Sequence, residues 1–211
     1  MANTAAINGI NGLRDIRRSP ASHLAAELEA GSIPGTVVLK EGPFQTMAGI
    51  RVDPRSEEGT QIAAVTGGLP ARCGDVGGTD RVTVLWLGPS EFLVVAPEQS
   101  HDSLGGDLIG SLVAALGEAP GQVVDLSANR TTFELSGPRS RAVLEKGCAL
   151  DLHPRSFTPG TALSTEIGNI PVVLQKTGEE SFRLFPRASF ADFLGRWLLD
   201  AMREYASPEV P

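Results

Sequence analysis

Residues 81–97, RVTVLWLGPSEFLVVAP, are the stretch of the chain with the clearest structural pattern. The apolar residues Val82, Val84 and Trp86 alternate with polar or smaller residues. Residues 92–96 form a second apolar run. The letters GPSE between the two runs are typical of a turn, because glycine and proline interrupt regular structure. Two such runs on either side of a turn predict a β-hairpin. The fold therefore contains an antiparallel sheet.

Outside this hairpin, extended runs continue to alternate with helical patterns. Further strands are predicted at residues 36–40, 44–52, 122–127, 131–135, 161–167, 170–176 and 181–185. Apolar spacing and end signals predict five helices: Ser19-Pro20 to Gly31, Glu57 to Gly67-Gly68, residues 102–117, Gly137-Pro138 to Gly147, and a final one starting near Phe190. Hairpins between helices indicate an α+β fold of antiparallel sheets with helices packed on one side.

The final helix has the most regular apolar pattern in the chain. Its apolar residues follow one another at helical steps: Phe190, Phe193, Leu194, Trp197, Leu198, Ala201 and Met202. Ser189 and Asp192 resemble a capping box at its start. We interpret the stripe as core or as an interface with another chain.

The chain divides into an arm, a folded unit and a tail. Residues 1–18 are interpreted as an arm whose apolar residues recur at every third position: Ile7, Ile10, Leu13 and Ile16. This strip either lies on another surface or belongs to a frayed terminus. Residues 19–205 form the folded unit, in which a division into two subdomains near residue 120 is left open. Residues 206–211 are expected to be a loose tail.

Composition and charge exclude several classes of function. The 211 residues carry a formal net charge of −7, which repels phosphate backbones and anionic lipid. No secretory pattern opens the chain and no apolar run has the length of a membrane span, so a cytoplasmic protein is expected. Cys73 and Cys148 stand far apart and outside any CxxC pair, so free thiols are expected rather than a zinc site.

No motif in the sequence predicts a self-contained active site. The glycine pairs 67–68, 77–78 and 105–106 lack the spacing that binds phosphates, and we predict that all three are loops. A GxSxG elbow is absent, and the three histidines are His23, His101 and His153. His101-Asp102 is adjacent in sequence, which does not by itself make a catalytic dyad. We therefore predict no catalytic, cofactor-binding or metal-binding residue in this chain.

The densest polar cluster is DLSANR, from Asp125 to Arg130. It falls between two predicted strands, where a carboxylate and a guanidinium five residues apart can meet across a turn. A structural ion pair is the preferred interpretation, because buried charges need mutual partners. A patch that faces a partner protein is the alternative.

The order of several motifs resembles the γ subunit of heterotetrameric sarcosine oxidase. These motifs are WLGPSEFLVV (residues 86–95), DLSANR (125–130) with GPRSR (137–141), and LDLHP (150–154). The closing FRLFPR (182–187) and the helix that contains Trp197 fit the same family. The resemblance covers most of residues 19–205.

That subunit is in turn similar to the folate-binding domain of glycine-cleavage aminomethyltransferase, which carries the signature YTGExGFE. This chain has KTGEESFR at residues 176–183, where four positions match: Thr177, Gly178, Glu179 and Phe182. Arg183 replaces the glutamate that accepts hydrogen bonds from the pterin ring in the transferases. A guanidinium offers donors and no acceptor, so the pterin donors would be left unpaired. The transferases also have paired aspartates where this chain has Asp80 followed by Arg81.

The resemblance implies a place in a larger enzyme. The complex oxidatively demethylates sarcosine to glycine and yields hydrogen peroxide with formaldehyde or 5,10-methylenetetrahydrofolate. FAD, FMN and NAD would be held by the α and β subunits and zinc by the δ subunit, with tetrahydrofolate as a substrate. This chain would be the non-catalytic γ subunit with α as its main contact, through the N-terminal arm or the final helix. The alternatives are a stand-alone folate-binding or one-carbon transfer protein and a stand-alone binding protein.

Overall fold

The computed structural model describes residues 17–206, which contain ten strands and five α-helices. The strands are β1 Val38–Glu41, β2 Gln45–Arg51, β3 Val76–Gly78, β4 Thr83–Gly88, β5 Glu91–Pro97, β6 Gln122–Asp125, β7 Phe133–Ser136, β8 Ala162–Ile167, β9 Ile170–Gly178 and β10 Ser181–Pro186. The helices are α1 Ala25–Gly31, α2 Glu57–Thr66, α3 Leu108–Leu116, α4 Ser140–Glu145 and α5 Ala191–Met202. One 3₁₀ turn precedes α1 and one precedes α5, two precede α3, and another, Arg203–Ala206, follows α5. The predicted arm residues Ile7, Ile10, Leu13 and Ile16, and residues 207–211 of the predicted tail, lie outside this part of the chain.

The strands form two antiparallel sheets. Sheet I has the order β3-β4-β5-β2-β6, and sheet II has the order β1-β7-β10-β9-β8. The predicted hairpin is confirmed as β4 and β5, with Val84 opposite Val94. Strands β1 and β2 follow one another in the chain, yet β1 pairs with β7 in sheet II and β2 pairs with β5 in sheet I. The link between them therefore joins the two sheets.

The two sheets pack face to face and each carries helices on its outer face. Along β5, Phe92 and Val94 belong to the core under α2 and α3, whereas Leu93 and Val95 contact sheet II. Sheet II repeats this alternation, since Leu174 packs in the core that includes residues of α1, α4 and α5. Side chains of a strand alternate between faces, so a central strand such as β5 or β9 contributes to two cores. The predicted α+β class with helices on one side of each sheet is confirmed.

The prediction that Gly77-Gly78 is a loop is wrong, because both residues belong to β3. A Cβ atom at position 77 would lie 2.7 Å from the Gly68 carbonyl oxygen, so glycine is needed for close backbone contact. Gly78 has φ +106°, which other residues rarely adopt. This glycine pair thus belongs to a short edge strand, although adjacent glycines are more typical of a loop.

The predicted helix over residues 102–117 is shorter in the structure. A 3₁₀ turn spans Asp102–Leu104, Gly105 adopts φ +86°, and α3 begins only at Leu108. The Asp102 carboxylate accepts hydrogen bonds from the amides of Ile109 (3.0 Å) and Gly110 (2.8 Å). It thereby satisfies the first free amides of α3 from outside the helix.

Two predicted helix starts differ in the structure. The Ser19 hydroxyl donates to the Glu41 carboxylate and α1 begins only after the 3₁₀ turn Ser22–Leu24. Helix α5 begins after Phe190 without a side-chain cap. Ser56 is a true cap, since its Oγ accepts from the Gly59 amide at 3.0 Å before α2.

None of the helices within residues 17–206 has the length and apolarity needed to cross a membrane.

Candidate functional site

A row of side chains crosses sheet II at the position of Arg183. The strand registers place Lys40 of β1 opposite Glu134 of β7, Glu134 opposite Arg183 of β10, and Arg183 opposite Gln175 of β9. Ala162 continues the row on β8 and belongs to the core between the sheets. Side chains in register lie on one face of a sheet, so this row is directed toward sheet I.

Arg183 is held in this row by an ion pair with Glu134. Arg183 Nε lies 3.3 Å from Glu134 Oε1, and Lys40 Nζ lies 3.0 Å from Glu134 Oε2. One carboxylate therefore serves two cations. Sequence patterns did not single out Glu134; its position between buried Phe133 and Leu135 is what places it on the other face. Position 183, where the resemblance to the aminomethyltransferase signature implies a hydrogen-bond acceptor, carries a guanidinium that shares Glu134 with Lys40.

Arg183 lines a cleft of about 340 Å³ between the two sheets. Asp80 and Arg81 line the same cleft, together with Gln45 and Glu98. The two departures from the transferase pattern, at residues 80–81 and 183, were identified separately in the sequence and are brought together by the fold. The cleft therefore presents two guanidinium groups, which offer hydrogen-bond donors and no acceptor.

The other end of the KTGEESFR segment is buried and structural. Lys176 is 1% exposed, and its Nζ donates to the Phe157 carbonyl oxygen at 3.0 Å. Glu179, whose carboxylate is 3.8 Å from Nζ, lies on the surface. Phe182 stacks on Phe157 with ring centroids 6.4 Å apart. Lys176 and Phe182 thus join β9 and β10 to Phe157 of the preceding loop, and of these two residues only Phe182 matches the transferase signature.

The predicted ion pair between Asp125 and Arg130 is not formed. Asp125 Oδ2 lies 2.8 Å from His101 Nε2, and Asp125 Oδ1 accepts from the Ser127 amide at 2.9 Å. Partial burial raises the pKa of Asp125, but the hydrogen bonds from Ser127 and His101 outweigh this effect and the net pKa is lowered. Arg130 instead donates from Nη1 to the Phe185 carbonyl oxygen at 2.7 Å. The two residues are five apart in the chain, yet Asp125 takes its partners from His101 and Ser127, whereas Arg130 takes one from Phe185 of β10.

His101 contacts Ser103 and Asp125 rather than the adjacent Asp102. Ser103 Oγ lies 2.7 Å from His101 Nδ1, so a serine, a histidine and an aspartate form one hydrogen-bonded chain. The Ser103 amide also donates to Nδ1, at 3.1 Å. In acyl transfer the amide of the nucleophile commonly stabilises the oxyanion, whereas here it is already bonded to the histidine. We interpret these three hydrogen-bonded side chains as a cap of the 3₁₀ turn Asp102–Leu104.

Comparison with known proteins assigns the chain to a family. The sequence model described as "Sarcosine oxidase, gamma subunit family" matches residues 62–204. The chain is 51% identical over 197 residues to sarcosine oxidase subunit gamma of Arthrobacter sp, which covers 92% of this chain and 94% of that protein. The chain belongs to the sarcosine oxidase gamma subunit family. The resemblance inferred from the motifs at residues 86–95, 125–130 and 150–154 is confirmed.

Solved structures support both the family and the fold. A chain of heterotetrameric sarcosine oxidase from Corynebacterium sp. U-96, solved in complex with pyrrole 2-carboxylate, superposes with a TM-score of 0.86 at 48% identity. The match covers 92% of this chain and 99% of that chain. The glycine cleavage aminomethyltransferase T from Bartonella henselae gives a TM-score of 0.58 at 16% identity, over 83% of this chain and 48% of that one. The predicted aminomethyltransferase-like fold is therefore confirmed as a likeness of fold alone.

The two cysteines and His23 of this gamma subunit family member do not cluster into a metal site within residues 17–206. Cys73 is exposed and Cys148 is partly buried, and both are free thiols. His23 is exposed and lies 2.6 Å from Asp192 of α5. Within residues 17–206, no group of three or more histidine, cysteine, aspartate or glutamate side chains is arranged to hold a metal ion.

Proposed function

We propose that this chain is the γ subunit of a heterotetrameric sarcosine oxidase and supplies no catalytic residue of its own. The observation that carries the proposal is the superposition on a chain of the Corynebacterium heterotetramer, which accounts for 99% of that chain. A match over nearly the whole length of a subunit supports the same role in the same kind of assembly.

The ion pair between Arg183 and Glu134 supports a structural rather than a folate-binding role. A folate site on this fold would need an acceptor at position 183, and the guanidinium there is already paired at 3.3 Å. If a pterin ring displaced this ion pair, Glu134 and Arg183 would lose each other as partners and each would need a new one. The scaffold is thus retained while the ligand-binding chemistry resides elsewhere.

In this proposal the other subunits perform the reaction. The complex oxidises sarcosine to glycine and forms hydrogen peroxide with formaldehyde or 5,10-methylenetetrahydrofolate. The α and β subunits hold FAD, FMN and NAD, the δ subunit holds zinc, and tetrahydrofolate is a substrate. Residues 19–205 act as one folded unit against α in the cytoplasm.

Co-expression with candidate α, β and δ subunits tests the assembly. With an affinity tag on this chain, we expect a yellow complex that consumes oxygen when sarcosine is added, and a colourless chain when it is purified alone. A tagged chain that elutes without flavin-bearing partners contradicts the proposal. So does a chain that binds flavin by itself.

The second candidate is a stand-alone folate-binding protein. It is favoured by the matching Thr177, Gly178 and Glu179 and by the cleft of about 340 Å³ beside Arg183. Isothermal titration of tetrahydrofolate into the isolated chain distinguishes the subunit role from the folate-binding role. We expect no heat of binding, whereas binding in the micromolar range would favour this second function. An aminomethyltransferase titrated under the same conditions is the positive control.

A further inference from the structure

A second cleft, of about 420 Å³, lies where sheet I extends beyond its contact with sheet II. Gly49, Leu87 and Val124 form an apolar floor, and Val124 is 36% exposed there. The rim carries arginines from three parts of the chain: Arg51, Arg130 and Arg187. We call this the arginine cleft. It shares no lining residue with the cleft at Arg183.

The backbone places Arg130 and Arg187 side by side. The two residues are partners in an antiparallel bridge. Hydrogen bonds flank the bridge on both sides, from the Thr131 amide to the Pro186 carbonyl oxygen at 3.3 Å and from the Ala188 amide to the Asn129 carbonyl oxygen at 2.8 Å. Side chains at opposed positions lie on the same side of the paired strands. Two guanidinium groups are therefore fixed next to each other at one rim.

The charges at this rim are not balanced. Glu91 is the one carboxylate that lines the arginine cleft in the described chain, and it lies 3.5 Å from Arg51. Arg130 and Arg187 form no ion pair with a carboxylate of residues 17–206. Burial, and then repulsion from Arg187, lower the pKa of Arg130. Two adjacent cations thus have no counter-ion among residues 17–206, in a protein whose net charge is −7.

Arg130 is also incompletely hydrogen-bonded. Its Nη1 donates to the Phe185 carbonyl oxygen at 2.7 Å, which fixes the orientation of the guanidinium. Its Nε is buried and has no acceptor. Buried donors in folded proteins are nearly always paired. A carboxylate would provide the missing negative charge to the exposed Arg187 and the half-buried Arg130, since it matches the fork of an arginine.

We propose that the arginine cleft receives a carboxylate-bearing segment of another subunit. The proposal rests on the proposed function, because it needs the assembled complex. An aspartate, glutamate or C-terminal carboxylate pairs with Arg187 and Arg130, and an adjacent aliphatic side chain covers Val124 and Leu87. A protein segment fits better than a polyanion, because the overall charge of −7 repels polyanions while the apolar floor requires an apolar group.

Charge reversal at Arg187 tests the proposal in the four-subunit complex. Arg187 is exposed, and its side chain forms no ion pair in the described chain, so Arg187→Glu should leave the fold intact by circular dichroism. We expect association with the partner subunits to weaken by about tenfold or more and to become less sensitive to salt. Arg155→Glu is the matched control, because it makes the same change in net charge at an exposed residue outside the cleft. Equal effects of the two substitutions, or no effect of either, overturn the proposal.

A crosslinking experiment identifies the occupant of the cleft. Arg187→Lys keeps the positive charge and introduces an amine that a carbodiimide joins to a neighbouring carboxylate. We expect mass spectrometry of the treated complex to find a new link from position 187 to a carboxylate of another subunit. A link to a carboxylate of the same chain, or no new link in an intact complex, overturns the inference and leaves the proposed function standing. A chain that never co-purifies with partners overturns both.

Discussion

Arg183 Nε lies 3.3 Å from Glu134 Oε1 across the neighbouring strands β10 and β7. Arg183→Glu would place two carboxylates directly opposite each other, and like charges at opposed positions destabilise a sheet. We expect the free energy of unfolding to fall by about 1 kcal/mol. Urea unfolding of the isolated chain measures this change.

A double substitution shows whether the pair itself is responsible for that loss. Glu134→Gln combined with Arg183→Glu removes the repulsion, so the double variant should be more stable than Arg183→Glu alone. Arg183→Gln is the neutral control and should lose less than the charge reversal. If the double variant lost as much stability as Glu134→Gln and Arg183→Glu lose together, residues 134 and 183 would not be energetically coupled.

Two neighbouring residues of α5 are expected to differ sharply in their contribution to stability. Leu194 is 0% exposed and packs in the core with sheet II, whereas Phe193 is 51% exposed. Leu194→Ala should lower the free energy of unfolding by about 2–5 kcal/mol, because it leaves a cavity. Phe193→Ala should change it by less than about 0.5 kcal/mol. Thermal unfolding of the two variants compares them directly, and similar losses would contradict the placement of the helix.

The cap of α2 is expected to be a local and separable source of stability. Ser56 Oγ accepts from the Gly59 amide at 3.0 Å, and alanine cannot replace this bond. Ser56→Ala should lower the free energy of unfolding by about 1 kcal/mol. Ser56→Asp preserves an acceptor and favours the helix dipole, so it should remain close to the parent in the same denaturant titration.

Asp125 should stabilise the fold in a pH-dependent way. Its pKa in the folded chain is lowered below the ordinary 3.8, so the unfolded chain binds a proton more readily than the folded chain does. The contribution of the charged carboxylate is complete above the pKa of the unfolded chain and is lost as the pH falls through the folded-state pKa.

Asp125→Asn tests this dependence. We expect the variant to melt below the parent at about pH 6, with a difference that shrinks as the pH falls below about 4. Thermal melts across this range provide the measurement, and Asp107→Asn, at an exposed aspartate whose side chain forms no hydrogen bond or ion pair within residues 17–206, shows the background effect of acid. A difference that grows toward acid would contradict the lowered pKa.

Local patterns in the sequence predicted a large part of the secondary structure. The hairpin of residues 81–97, the start of α2 at Glu57 and the stripe of α5 all depend on residues close in the chain. Alternation, capping and helical spacing are set by backbone geometry within a few residues. The order of the family motifs likewise lies in the sequence itself. These features could be inferred without knowledge of any long-range contact.

The errors arose where distant segments decide the structure. Gly77-Gly78 is a strand because β4 pairs with it, and Asp102 caps α3 across a glycine turn instead of continuing a helix. Asp125 and Arg130 took partners from other segments, His101 and Phe185, that no spacing rule connects to them. Buried polar groups take whichever partner the packing supplies.

The sequence by itself determined the class of fold, the family motifs and the replacement of an acceptor by Arg183. Only the tertiary structure decided that β1 and β2 enter different sheets, that Asp80 and Arg81 share a cleft with Arg183, and that Arg130 stands beside Arg187. The physical reason is the range of the interactions. Periodicity and caps act between near neighbours, whereas strand pairing and sheet packing join residues far apart in the chain, and clefts form where that packing ends.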